Sequence, residues 1–143
     1  MNLNINHTKL ILILSILGIA VSLYLTYVKL TSSTVICGIG DCGTVQNSKY
    51  SQLFGIPVAA FGVLYYFVMF ALTYVLEQKQ NKTLTTVKNL WSIWGVGFSI
   101  YLTYLELYVI HAICMWCVIS LVVVLLIAVV SAVEWKKNAI HKL

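Results

Sequence analysis

The four cysteines are the residues of this sequence whose type and spacing allow redox chemistry. They form two close pairs, Cys37-Gly-Ile-Gly-Asp-Cys42 and Cys114-Met-Trp-Cys117. Cysteines this close along the chain can form disulfides, and a disulfide exchanges with a thiolate through a mixed disulfide. The spacing therefore predicts two redox-active dithiols, with all four cysteines as catalytic residues.

The second pair has the spacing of residues on one helical face. Positions three apart on a helix are neighbours, so the sulfurs of Cys114 and Cys117 can meet. Cys114 is predicted near a helix N-terminus, where amides and the helix dipole lower a cysteine pKa from about 8.5 into the range 3.5–7.5. We expect Cys114 to be the exposed, exchanging sulfur and Cys117, one turn deeper, to face a buried acceptor. The alternative is a structural staple, although the loop closed by this pair is too short to order much of a protein.

The first pair is expected in a flexible loop. The two glycines between Cys37 and Cys42 loosen the backbone, which suits a shuttle between an external protein and the second pair. A disulfide that only staples a surface loop is the alternative. Four cysteines could also bind zinc, but a structural zinc site is less usual in an oxidising compartment, and we predict no metal.

Hydropathy indicates what positions these cysteines. The 143 residues are 61% hydrophobic and 9% charged, against about 25% charged in soluble domains. Four stretches reach the length of about 20 apolar residues that a spanning helix needs; they cover residues 10–30, 57–76, 90–110 and 113–133. We therefore predict an all-α membrane protein, a single four-transmembrane-helix bundle over residues 1–143.

Lysine placement predicts the orientation in the membrane. Four spans put the N-terminus, the middle loop and the C-terminus on one side, with seven of the nine lysines; only Lys29 and Lys49 lie on the other. The positive-inside rule makes the lysine-rich side cytoplasmic. All four cysteines then lie on the extracytoplasmic side, where disulfides persist. The net charge of +5 includes no dense basic run, so no nucleic-acid partner is expected.

A short lid helix is predicted in the first extracytoplasmic loop. Ser48 can cap a helix over Lys49–Phe54 that Gly55 would end, and Pro57 suits the first turn of the next span. Lying flat over the bundle, this helix would enclose a half-buried apolar chamber for a ring-shaped, lipid-soluble acceptor.

Three further features are left open by the sequence. Glu106 is the only acid within a predicted span, where charges are usually functional or paired, but it lies near the outer interface and can also snorkel. His111 is interpreted as a solvated turn residue. The segment Ser22-Leu-Tyr-Leu-Thr-Tyr-Val28 is repeated as Ser99-Ile-Tyr-Leu-Thr-Tyr-Leu105, which indicates either a duplicated helix pair or the shared vocabulary of apolar helices.

Together these residues resemble the bacterial and archaeal branch of the vitamin K epoxide reductase family. The likeness covers nearly the whole chain, and its carriers are both cysteine pairs, Ser48, and Phe54-Gly-Ile-Pro-Val-Ala-Ala-Phe-Gly62. It implies a four-helix bundle around a quinone, ubiquinone or menaquinone, contacted by Ser48, Phe61, Trp116 and Cys117. It also implies that a thioredoxin-like partner reduces a Cys37–Cys42 disulfide, that Cys42 exchanges with Cys114, and that Cys117 reduces the quinone.

The sequence also departs from parts of this family. Relatives often carry a fused thioredoxin-like domain, whereas this sequence ends soon after its fourth span, so we expect the partner to be a separate extracytoplasmic protein. Where the animal enzymes have an asparagine and a tyrosine, Val58 and Leu121 stand here, which favours a respiratory quinone over vitamin K epoxide.

The predicted function is that of a quinone-dependent protein-disulfide oxidase. The nearest alternative is the same architecture acting as a quinone or vitamin K epoxide reductase. An alternative from another class is a non-enzymatic four-span scaffold with structural disulfides.

Overall fold

Four long helices make up most of the protein. The computed structural model describes residues 2–31, 34, 36–79 and 81–141. The long helices are α1 (Asn2–Thr31), α3 (Val58–Gln78), α4 (Lys82–Tyr104) and α5 (Met115–His141). The stretches that are long and apolar enough to cross a membrane are His7–Thr31, Val58–Gln78, Lys82–Ile110 and Met115–Lys137. The prediction of an all-α, four-span bundle is confirmed.

The bundle turns apolar side chains both inward and outward. α1 packs against α3 and α5, and α4 packs against α5 and α3. The interior is formed by a cluster from α1, α3 and α5; its members are Ile11, Leu14, Tyr65, Tyr66, Met69, Val123, Val124 and Ile127. On the outside, Ile13 and Ile93 are 63% and 64% exposed. Such exposure is expected of helices whose solvent is hydrocarbon, because lipid tails are as apolar as these side chains.

The helices are longer than predicted at the end of the bundle opposite the cysteines. The second span continues to Gln78 and the fourth to Lys137, so Glu77 and Glu134 join Glu106 as acids within a span. Lys88 Nζ lies 3.0 Å from Glu134 Oε2, and the Lys88 side chain is only 2% exposed. This pairing explains how two charges are tolerated between apolar helices.

The loop between α1 and α3 differs from the predicted lid helix. It contains a short helix, α2 (Cys42–Asn47), a single 3-10 turn at Lys49–Ser51, and a hairpin of strands β1 (Gln52–Leu53) and β2 (Ile56–Pro57). The predicted helix over Lys49–Phe54 is therefore wrong after its first turn.

The reason lies in the two residues that join the strands. Phe54 and Gly55 both have positive φ, 55° and 79°, the conformation required at both central positions of a type I′ hairpin turn. Ser48 makes no side-chain cap to the 3-10 turn; its Oγ donates instead to the Val45 carbonyl at 2.8 Å. Pro57 ends β2 and precedes the first residue of α3.

The connection from α4 to α5 contains a π-helix that the sequence did not predict. It covers Leu105–Ile110 and ends at His111, which is left-handed with φ 58°. The His111 and Ala112 amides both donate to the Glu106 carbonyl. The wider turn of a π-helix changes which side chains face inward, and such bulges are frequent at functional sites.

Candidate active site

The four cysteines meet at one end of the bundle, although Cys114 follows Cys42 by 72 positions along the sequence. Cys42 and Cys114 are 1% and 0% exposed and form one buried cluster with Val45. The prediction that Cys114 is the exposed sulfur of its pair is therefore wrong, because Cys42 and Val45 pack against it. Cys37 and Cys117 are partly buried and pack against the same cluster. Cys37 and Cys42 form a disulfide, whereas Cys114 and Cys117 are free thiols. A disulfide therefore lies against a free dithiol.

Backbone contacts join the loop that carries the first pair to the start of α5. Gly40 and Cys114 form an isolated antiparallel bridge, and the Asp41 amide donates to the Ile113 carbonyl at 2.7 Å. Gly40 has φ +93°, and a Cβ there would overlap the Ile113 carbonyl oxygen. The predicted flexibility of this segment thus does not extend to Gly40 and Asp41, because their backbones are bonded to the α5 approach.

Asp41 also fixes the direction of α2, which begins at Cys42. Its carboxylate accepts hydrogen bonds from the Thr44 amide at 3.2 Å and from the Thr44 hydroxyl at 2.6 Å. These two bonds stabilise the charged form and lower the pKa of Asp41 below its usual value. The capped helix holds Cys42 against Cys114.

Trp116 secures the other side of the same loop. Its indole Nε1 donates to the Ile36 carbonyl at 2.7 Å, and its ring lies 5.0 Å from that of Tyr24. The Tyr24 hydroxyl in turn accepts a hydrogen bond from the Ile36 amide. Trp116 therefore holds the backbone next to Cys37.

The free thiols occupy the first turn of α5 and its approach. Cys114 immediately precedes the fourth membrane-spanning stretch, and Cys117 lies within it. A hydrogen bond from the Cys117 thiol, aided by the amides of Cys117 and Trp116, lowers the pKa of Cys114 to about 7. Cys114 is thus the sulfur that is readily ionised at neutral pH, and ionisation is what makes a thiol nucleophilic.

Glu106 is the residue of this site that the sequence left undecided. Its side chain is 6% exposed, its Oε2 accepts a hydrogen bond from the Cys114 amide at 3.4 Å, and its carboxyl group contacts the Cys117 thiol. The signal available in the sequence was that of an acid within a predicted span. Its contacts with the Cys114 amide and the Cys117 thiol involve a residue of the π-helix, which no pattern indicated.

A cavity of about 120 Å³ lies between the long helices and below the loop. An apolar cavity of roughly 150 Å³ can accommodate benzene, so this space has the size of a small ring. Of the residues expected to contact a quinone, Ser48, Phe61 and Cys117 line the cavity, but Trp116 is not among its lining residues. The other lining groups include apolar side chains together with Tyr50, Tyr65, Ser99, Thr103 and Glu106.

The repeated segments of α1 and α4 have matching positions at this cavity. Ser22 and Ser99, the first residues of the two copies, both line it. In each copy the threonine four residues later donates to the serine carbonyl, Thr26 at 2.8 Å and Thr103 at 2.9 Å. The two copies therefore use the same local contact at one cavity.

Comparison with known proteins identifies the architecture. Over a stretch of 52 residues, the chain is 46% identical to the thiol-disulfide oxidoreductase LTO1 of Arabidopsis thaliana. This match covers 35% of the chain and only 14% of that much longer protein. The model of the vitamin K epoxide reductase family matches residues 9–132, a range that includes both cysteine pairs and all or most of each helix that could span a membrane. The chain therefore belongs to the vitamin K epoxide reductase family.

Proposed function

We propose that this protein oxidises the thiols of an extracytoplasmic protein and passes the electrons to a membrane quinone. The observation that carries the proposal is the packing of the Cys37–Cys42 disulfide against the buried Cys114 thiol. Family membership and the name of the plant relative, a thiol-disulfide oxidoreductase, support the same chemistry. The short spacing of the loop cysteines favours the bacterial and archaeal branch of the family.

Electrons enter at the outer pair. Cys37 is partly exposed and Cys42 is buried, so an external thiolate reaches Cys37 first. That thiolate forms a mixed disulfide with Cys37 and releases Cys42 as a thiolate. The second thiol of the partner then attacks the partner's own sulfur, so the partner leaves as a disulfide and Cys37 and Cys42 remain as a dithiol. We propose a separate thioredoxin-fold protein as this partner.

The relay to the inner pair starts from the oxidised state, in which a disulfide joins Cys114 and Cys117. The Cys42 thiolate attacks Cys114, and Cys117 leaves as a thiolate. Cys37 then attacks Cys42, which restores the Cys37–Cys42 disulfide and releases Cys114. The arrangement of one outer disulfide and two inner thiols corresponds to the product of this relay.

The inner pair delivers electrons to the cavity. Cys117 lines the cavity and Cys114 does not, so Cys117 is the proposed electron-donating sulfur, and Ser48 and Phe61 are proposed to contact the ring. A bound quinone supplies an acceptor of two electrons and two protons. As their disulfide re-forms, Cys114 and Cys117 lose two electrons and two protons.

The cavity lining favours a respiratory quinone, ubiquinone or menaquinone, over vitamin K epoxide. Val58 and Leu121 both line it, at positions where the animal enzymes have an asparagine and a tyrosine. Neither side chain can hydrogen-bond to an epoxide or carbonyl oxygen. A reductase role, in which the reduced quinone is the useful product, uses the same residues and remains the alternative.

A trapping experiment tests the relay. In a Cys117→Ala variant, the Cys114 thiolate has no partner in its own pair and should attack Cys42, giving a Cys42–Cys114 disulfide and a free Cys37 thiol. Peptide mapping under non-reducing conditions should find this crosslink in most of the purified protein. A Cys114→Ala variant is the matched control and should retain the Cys37–Cys42 disulfide. Absence of the crosslink from the Cys117→Ala variant would show that the proposed relay is wrong.

Turnover tests the acceptor. Anaerobic purified protein should reduce added ubiquinone or menaquinone when a reduced thioredoxin-fold donor is present, and Cys114→Ala should abolish this activity while leaving a folded protein. A scaffold with structural disulfides would show no turnover, and Cys114→Ala would only destabilise it.

A further inference from the structure

Glu106 lies where the inner cysteines and the cavity meet. Its carboxyl group contacts the Cys117 thiol, its Oε2 bonds to the Cys114 amide, and the residue lines the cavity together with Cys117. We propose that Glu106 is a catalytic residue that exchanges a proton with Cys117, both when this sulfur donates electrons and when it is released by Cys42. The inference rests on the proposed function, and it assigns a proton-transfer step to Glu106.

Two backbone hydrogen bonds hold Glu106 in this position. The amides of His111 and Ala112 both bond to the Glu106 carbonyl, which closes the last turn of the π-helix. The Glu106 side chain points toward the start of α5, where its Oε2 accepts the hydrogen bond from the amide of Cys114, the residue before this helix. These contacts leave a carboxyl group, 6% exposed, as a fixed neighbour of a sulfur rather than as a residue that snorkels to the interface.

The surroundings of Cys117 favour a local proton acceptor. Cys117 lies in a membrane-spanning stretch, where an isolated thiolate is costly because there is little water to solvate it. A carboxylate in contact can take the proton as the sulfur becomes nucleophilic. It can return the proton when Cys117 is the leaving group in the exchange with Cys42.

The proton count for the oxidation of the inner pair balances. Formation of the Cys114–Cys117 disulfide releases two electrons and two protons, and the acceptor in the cavity takes up the same number of each. One proton travels from Cys117 through Glu106 to an acceptor oxygen. The other leaves Cys114 to water, and the second acceptor oxygen takes one from water.

The titratable neighbours of Glu106 are few. Cys114 and Cys117 act on its carboxyl group from α5. From the loop, Asp41 is bonded to Thr44, and Cys37 and Cys42 do not titrate because they form a disulfide. The remaining titratable groups that line the cavity are the hydroxyls of Tyr50, Tyr65 and Tyr66. Cys117 and Glu106 should therefore titrate as a pair.

The pH dependence of Cys117 alkylation tests this pairing without quinone or partner protein. In a Cys114→Ala background, the Cys37–Cys42 disulfide leaves Cys117 as the only free thiol. A thiol that shares a proton with a carboxylate keeps a constant fraction of thiolate between the two titrations of the pair. We expect the rate of alkylation by N-ethylmaleimide to change less than about threefold over at least two pH units. In the same background, Glu106→Gln should make the rate rise about tenfold per pH unit, because a lone thiol then titrates alone.

Two further variants identify the cause. Glu106→Asp keeps the carboxylate and should restore a pH-independent region, whereas Glu77→Gln, a change at an exposed position, should leave the profile of the background unaltered. Glutamine can still accept the hydrogen bond from the Cys114 amide, so a merely structural Glu106 would give the same profile before and after Glu106→Gln. That result, or a steady tenfold rise per pH unit with Glu106 present, would overturn the proposal. Neither result would affect the Cys42–Cys114 crosslink, on which the relay depends.

Discussion

The four sulfurs differ in burial and in ease of ionisation. These differences favour one order in which the sulfurs exchange disulfides. Cys37 is the accessible half of the outer disulfide, while Cys42 and Cys114 are buried together. The Cys117 thiol stabilises the Cys114 thiolate by hydrogen bonding. An exchange that begins at Cys37 and passes through Cys42 to Cys114 thus follows the contacts of the residues themselves.

The lowered pKa of Cys114 gives a testable prediction. With Cys37→Ser and Cys42→Ser preventing capture by the loop, the alkylation rate of Cys114 should rise with pH and reach half its maximum near pH 7, because the thiolate forms above that pH. Replacing Cys117 by alanine removes the hydrogen-bond donor, so the pKa should return toward its ordinary value of about 8.5.

The rate at pH 7 should then fall by roughly tenfold, as a smaller fraction of Cys114 is ionised. Cys117→Ser keeps a donor and should change the midpoint less. Alkylation measured by peptide mass spectrometry across pH 5–10 provides the comparison. An unchanged midpoint in the Cys117→Ala variant would remove Cys117 as the cause of the lowered pKa.

Among the elements, the contact between the loop and the start of α5 decides whether the two cysteine pairs meet. The Gly40–Cys114 bridge and the bond from Trp116 to Ile36 hold the loop on both sides of Cys37. The sequence indicated the loop, the helix and the order of the cysteines. It did not indicate these contacts, because each joins residues more than 70 positions apart and leaves no local periodicity.

Gly40 offers a matched test of this contact. Gly40→Ala would place a Cβ against the Ile113 carbonyl at a φ of +93°, which L-residues with a side chain rarely adopt. In the Cys117→Ala background, it should lower the yield of the Cys42–Cys114 crosslink at least several-fold.

Gly38→Ala is the control, since its Cβ would meet only Met115 Sδ at 3.8 Å, an ordinary contact. Non-reducing peptide mapping of both variants gives the two yields. Equal yields would mean that the bridge does not position Cys42.

For the whole molecule, the surrounding lipid explains both the apolar exterior and the rarity of charge inside the bundle. Among the residues that the structure describes, the buried charged side chains are engaged: Lys88 with Glu134 at one end, and Glu106 with the inner cysteines at the other. The cysteine site lies at the end of the bundle reached by the α1–α3 loop and the α4–α5 connection. Lysine counts predict that this end faces away from the cytoplasm.

Labelling of intact cells checks this orientation. After mild reduction by an impermeant phosphine, an impermeant maleimide should label Cys37 from outside. Asn81→Cys, in the loop between α3 and α4, should be labelled only after the membrane is opened. The opposite pattern would place the cysteines in the reducing compartment and would exclude the proposed oxidase.

The four helices could be predicted from the order of the residues, because a run of apolar residues long enough to cross a bilayer is a local property. The two dithiols could be predicted as well, because cysteines three and five positions apart need no distant residue to approach one another. Three contacts became known only from the folded structure: the Cys37–Cys42 disulfide packs against Cys114, Trp116 holds the loop instead of lining the cavity, and Glu106 contacts Cys117. A hairpin stands where the lid helix was expected, because Phe54 and Gly55 both have positive φ. These outcomes depend on packing between distant segments and on backbone conformations that hydropathy and spacing do not encode.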